Sequence, residues 1–232
     1  MGWNVNLFKR ETGMSVGDDV AAALKWAGAQ PGWWHDAGNL NVRTLERIVH
    51  YLSQVKGTAT AETGCGLSTV VLSNAVESHT CFTITAGNSL EKVQGAPPLR
   101  HGNVSFVLGP SQLTLPRHTF SRSLDLVLID GAHAFPFAEL DYYFLYPHIR
   151  RGGILVIDDI HIPTVGNMYE FLRADKMWKH LENVYFTAFF ERTDAPLFDP
   201  HGDGWERQRF NAQNFAHKDS LVSILGEKWW ER

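Results

Sequence analysis

The feature that most constrains this chain is a pair of apolar runs that end abruptly in acid. Leu126-Val127-Leu128-Ile129 runs into Asp130, and Ile154-Leu155-Val156-Ile157 runs into Asp158-Asp159. Neither run alternates apolar with polar residues, so each predicts a strand buried on both faces. Helical periodicity lies between and around them: Leu45, Ile48, Val49 and Leu52 make one helical face in residues 40–55, and residues 134–149 carry a second helical pattern. Strands alternating with helices imply a doubly wound, mostly parallel sheet in a three-layer αβα sandwich.

Three segments follow. Residues 1–39 form an N-terminal helical and loop segment, with a short helix over 18–28 and exposed aromatics, Trp33 and Trp34 among them, in the loop 30–38. Residues 40–192 are the α/β domain. Strands are expected over 58–63, 79–87, 104–110, 124–130 and 154–160, with a turn at 151–153, a short helix at 167–174 and two strands within 178–192. Residues 193–232, broken by Asp194, Pro196, Pro200, Gly202 and Gly204, read as a C-terminal extension ending in a helix around 218–230.

Composition narrows the function. The 232 residues are 44% hydrophobic and 20% charged, which fits a folded globular chain, and the net charge is −4. Without a basic excess, neither a nucleic-acid backbone nor an acidic membrane is an expected partner. Two cysteines, Cys65 and Cys81, make no disulfide framework. The N-terminus lacks a signal-peptide core, Asn6 stands where a myristoylation signal has Ser or Thr, and no apolar run is long enough to span a bilayer. A cytoplasmic chain is expected, with a homo-oligomer through the C-terminal extension left open.

The loop after the first strand, Glu62-Thr63-Gly64-Cys65-Gly66, leads into a helix with Ser68 and Thr69 in its first turn. Glycines let backbone approach a ligand, and in open α/β sheets ligands bind outside the carboxyl ends of the strands. No Lys follows, which excludes a P-loop, and Thr69 replaces the third small residue of a dinucleotide fingerprint. A nicotinamide- or nucleotide-binding oxidoreductase and a non-catalytic binding protein of the same fold stay open as alternatives.

The segments ETGCGLST, LDLVLIDGAHAF and RRGGILVIDDI resemble, in order and spacing, the cofactor loop, fourth strand and fifth strand of the class I S-adenosylmethionine-dependent methyltransferases. The similarity covers about residues 40–192 and is nearest to the sugar and catechol-type small-molecule O-methyltransferases. It implies a Rossmann-like methyltransferase fold, S-adenosylmethionine as cofactor and a hydroxylated small molecule as acceptor. It implies cofactor contacts from Glu62, Gly64, Gly66, Ser68, Thr69, Ser111 and Asp130, with Gly64 and Gly66 making room for the cofactor. It also implies a general base at His133, with His161 a second candidate. Relatives end the second strand in an acid that binds the ribose; here Thr85 or Asn88 is left for that contact, as a neutral partner.

Ends of adjacent parallel strands lie about 5 Å apart, so Asp130, Asp158 and Asp159 should converge. Three like charges require a cation or a proton. Oxygen-only ligands favour a hard cation such as Mg²⁺, and the resemblance implies the same metal trio.

Overall fold

The apolar runs are indeed buried on both faces, and their successive residues enter two separate cores. The computed structural model describes residues 17–198, 202–205 and 208–214. In chain order these form α1 (Asp18–Gly28), α2 (Val42–Gln54), β1 (Ala59–Thr63), α3 (Leu67–Ala75), β2 (Ser78–Thr83), α4 (Ser89–Gln94), β3 (Val104–Leu108), α5 (Ser111–Thr114) and β4 (Leu124–Ile129). Then come α6 (Phe137–Leu145), β5 (Ile149–Ile157), α7 (Pro163–Ala174), β6 (Trp178–Val184), β7 (Thr187–Arg192) and α8 (Arg209–Asn214).

The seven strands are ordered β3-β2-β1-β4-β5-β7-β6. All neighbours are parallel except β7, which runs antiparallel to both β5 and β6. Leu126, Leu128, Ile154, Val156 and Phe189 pack with α1, α2 and α3 on one face. Val127, Ile129, Leu155, Ile157 and Phe190 pack with α6 and α7 on the other. Each fully buried side chain of this kind stabilises by roughly 1.5–3 kcal/mol. The three-layer αβα sandwich is therefore a consequence of period-2 alternation across two apolar faces.

One polar residue interrupts β4, and it is anchored. Asp125 accepts from Thr58 N (2.7 Å), Ala59 N (3.0 Å) and Arg150 Nε (2.5 Å). Arg150 also donates to Val55 O (2.8 Å). This clamp ties β4 to the end of α2 and draws the expected turn at 151–153 into β5, where the pairing with β4 shifts register.

Other boundaries move for local reasons. The second strand stops at Thr83 because the chain then turns through Gly87, whose φ is +76°. The helix expected from 167 starts earlier, at Pro163, whose fixed φ suits a first helical position. The helix α2 begins where Asn41 Oδ1 accepts from Arg43 N (2.9 Å). The helix expected around 218–230 lies outside the described residues.

Candidate active site

Hydrogen bonding continues past the ends of the strands and sets the site. Gly64 N donates to Phe82 O (3.0 Å), Asp130 N to Thr63 O (3.1 Å) and Asp158 N to Ile129 O (3.0 Å). Gly64, Asp130 and Asp158 are thereby lateral neighbours on the carboxyl edge of β1, β4 and β5.

The two glycines of the loop make room for protein. A Cβ on Gly64, where φ is +94°, would lie 2.1 Å from the carbonyl oxygen of Asp130. A Cβ on Gly66 would lie 2.7 Å from His35 Nε2. The first glycine seats β1 against β4; the second receives His35, which the loop 30–38 buries there. A close approach of protein to protein thus uses the residue type expected to make room for the cofactor.

Glu62 lies under the loop, 1% exposed. Its Oε1 meets His79 Nε2 at 3.0 Å and accepts from the Thr69 hydroxyl. Thr69 Oγ1 also accepts from Gly66 N (3.1 Å), and His79 Nδ1 contacts Thr60 Oγ1 (2.8 Å). Thr69 and Ser68 are buried in the first turn of α3. Glu62 Oε2 is buried with no hydrogen-bond partner. Thr69 and His79 thus hold the acid and the loop together from below. His79 was missed in the sequence, where it reads as a polar residue opening a strand.

At this edge Asp130 and Asp159 come together with His133. One ligand atom each from Asp130, His133 and Asp159 lie within 4.8 Å of one another. Asp158, expected as a further ligand, accepts from the Thr187 hydroxyl on β7. Asp159 has φ +56°, a left-handed conformation. Ile160 N bonded to Phe186 O (3.0 Å) and Ile162 N bonded to Asp159 O (2.9 Å) hold that turn.

His133 Nε2 stands 3.0 Å from Asp159 Oδ2 but makes no hydrogen bond of sound geometry. His161 Nδ1 is 3.6 Å from Asp159 Oδ1. Asp159 holds the His133 pKa above its usual value, and His133 in turn lowers that of Asp159. Burial pushes the Asp130 carboxyl well up, and the charges of Asp158, Asp159 and Glu62 push it further. Among the described residues, no Lys or Arg offsets these charges at Asp130.

Thr85 is exposed in the turn after β2. Ser111, half-buried at the start of α5, has its hydroxyl 3.3 Å from Gln112 Oε1 and lies near Asp141 on α6. Asp141 is fully buried, and a Cβ on Gly131 would meet its Oδ2 at 3.0 Å and Thr63 Oγ1 at 3.1 Å. Burial raises the Asp141 pKa to about 6, while Ser111 and Thr63 lower it. Its only signal in the sequence is an acid inside an otherwise apolar helical face.

Strand order and the edge-on glycine loop define the class I methyltransferase architecture. Residues 61–160 match a family model described as a methyltransferase domain. No curated protein matches the chain. Among solved structures, cofactor-bound Rv0187 from MTB is 16% identical with a TM-score of 0.57, covering 84% of this chain and 100% of that one. The O-methyltransferase TomG from Streptomyces achromogenes, in complex with SAM, is 13% identical with a TM-score of 0.56, covering 81% and 95%. An O-methyltransferase from Bacillus cereus in complex with SAH is 12% identical with a TM-score of 0.54, covering 81% and 97%. These identities carry the fold. With the matched segment, they give this chain the Rossmann-like fold of the methyltransferases. Among the described residues, no helix is long and apolar enough to cross a membrane.

Proposed function

We propose that the chain transfers the methyl group of S-adenosylmethionine to a hydroxyl of a small molecule, with a divalent cation at Asp130, His133 and Asp159. The observation that carries this reading is the convergence of Asp130, His133 and Asp159 at the carboxyl edge, beside the glycine loop, with no Lys or Arg among the described residues offsetting the charge at Asp130. Such a site suits cations, and both a sulfonium cofactor with its ammonium group and a divalent metal are cations. The unpartnered Glu62 Oε2 and the misaligned His133 Nε2 are further polar atoms that a ligand would satisfy.

Bound S-adenosylmethionine supplies the methyl group, and a cation held by the three residues would lower the pKa of an acceptor hydroxyl. The protein's own residues then have distinct tasks. The Glu62–Thr69–His79 cluster fixes the glycine loop. Ile84, Leu108 and Leu113, exposed at the ends of β2 and β3 and in α5, are apolar side chains that an adenine ring would cover. If His133 ligates metal, its ring nitrogen is unavailable as a base, and His161, on the other oxygen of Asp159, is the remaining imidazole for the acceptor proton.

Calorimetry with S-adenosylhomocysteine, NAD⁺ and Mn²⁺ tests the reading. Micromolar S-adenosylhomocysteine binding with no response to NAD⁺ supports it, and the reverse pattern overturns it. Methyl transfer to a panel of catechols, sugars and hydroxylated metabolites, with and without chelator, tests acceptor and metal.

A further inference from the structure

In α/β nucleotide sites a carboxylate near the end of the second strand accepts the ribose hydroxyls, about 20 residues beyond the glycine loop. After β2 this chain offers Ile84-Thr85-Ala86-Gly87-Asn88, with no acid. The structure brings one there from another segment. Asn88 Nδ2 donates to Asp36 Oδ1 (2.8 Å), and Asp36 N donates to Asn88 Oδ1 (3.1 Å). This reciprocal clasp joins the loop before α2 to the turn after β2. Asn88 precedes α4 but makes no side-chain cap on it, its amide being committed to Asp36.

The neighbouring residue seats the loop. His35 is 6% exposed, with Nδ1 accepting from Ala37 N (3.2 Å) and lying 3.2 Å from Ser89 Oγ. Its Nε2 points at Gly66. The chain segment carrying Asp36 is thus pinned at both the β1 loop and the β2 turn. Asp36 itself is exposed, and its Oδ2 has no hydrogen-bond partner among the described residues; it lies 3.6 Å from the point a Cβ on Gly87 would occupy. A free carboxylate oxygen, held by a two-bond clasp at the carboxyl edge, is what a ribose diol needs as acceptor.

We propose that Asp36 supplies the ribose-binding carboxylate that the end of β2 lacks, with Asn88 as its positioning residue. The inference rests on the nucleoside cofactor proposed above, and it makes loop 30–38 part of the cofactor site.

Calorimetry with S-adenosylhomocysteine and its 2′,3′-dideoxy analogue tests it without any turnover. Wild-type protein should prefer the parent compound at least about tenfold, the worth of a hydrogen bond to a charged group. Asp36→Asn keeps an oxygen for the Asn88 amide, so the clasp survives. It should bind S-adenosylhomocysteine about 10-fold more weakly or worse, and its preference over the dideoxy analogue should collapse towards one. Asn88→Ala should lose affinity while keeping part of that preference. Unchanged affinity and preference in Asp36→Asn, or an equal loss for both compounds, overturns the ribose role. A wild-type protein that binds neither compound overturns the cofactor reading itself. Asp36 is exposed, so unaltered thermal unfolding is the expected control.

Discussion

The carbonyl oxygen of Asp130 occupies the space beside Gly64, 2.1 Å from where a Cβ would stand. The glycine loop and the acid at the end of β4 are therefore one packed unit, and a change in either reaches the other. Loss of cofactor binding on mutating the loop need not report a cofactor contact.

Gly64 and Gly66 should consequently behave differently. Gly64→Ala adds a left-handed strain of about 1–2 kcal/mol to a clash with backbone, which overpacking data put at about 1–3 kcal/mol. We expect a loss of about 2–4 kcal/mol in urea unfolding. At Gly66 the obstruction is the end of a side chain, His35, which can shift together with its loop. Gly66→Ala should cost less than about 1.5 kcal/mol yet weaken S-adenosylhomocysteine binding, by unseating the loop that carries His35 and Asp36. Equal destabilisation by the two variants would contradict this division.

The metal set is tested by which variants lose Mn²⁺ affinity in calorimetry. Asp130→Asn and Asp159→Asn should each weaken Mn²⁺ strongly, since ligand charge sets affinity. Asp158→Asn should weaken it far less, because that carboxylate is engaged with Thr187. His133→Ala decides between two roles. A ligand's removal should weaken the metal at least about 10-fold. A general base's removal should leave the metal bound and lower turnover by about 10²–10⁴. Mn²⁺ affinity equal to wild type in Asp159→Asn would remove the metal from this cluster.

How far the sequence revealed this arrangement follows from what each signal depends on. The buried strands β4 and β5 were legible because their apolar runs are long and their acid ends abrupt. Helix α1 was legible to the residue, since its acids sit at the start and its glycine at the end. The turn at 151–153 misled, because Arg150 reaches across to Asp125 and Val55 and that tertiary clamp overrides local turn chemistry. At the candidate site, the acids Asp130, Asp158 and Asp159 are legible as abrupt ends of apolar runs, but the left-handed turn at Asp159 rests on tertiary hydrogen bonds that no composition shows. Asp36 and His35 looked like loop residues beside exposed tryptophans, and only folding brings them to Asn88 and Gly66.

Asp141 should make stability depend on pH with a definite sign. Its folded pKa is raised from the ordinary carboxylate value to about 6. The folded state therefore binds this proton more tightly than the unfolded state. The contribution is fully present below about pH 4 and is lost as pH rises through about 6. Asp141→Asn removes the titrating group. Between pH 4 and 7, wild-type protein should lose about 2–3 kcal/mol from this group that the variant keeps. Unfolding free energies at the two pH values, compared between the two proteins, check it. A variant with the full wild-type pH dependence would assign the effect elsewhere.

The turn after β2 offers a last test, because it can be given the acid it lacks. Thr85 is exposed there, so an aspartate costs little to accommodate. Thr85→Asp in an otherwise unaltered chain should change S-adenosylhomocysteine affinity by less than about threefold, since one carboxylate already serves the ribose and a second adds like-charge repulsion. In the Asp36→Asn background the same substitution should recover affinity, by up to the tenfold or so that a charge-assisted hydrogen bond is worth. The rescue needs only that residue 85 can reach the diol from the β2 side while residue 36 reaches it from the loop. Additive effects of the two substitutions, measured as a double-mutant cycle by calorimetry, would mean that they act on separate groups. Asp36 would then be left holding the loop through Asn88, with the ribose bound by other residues.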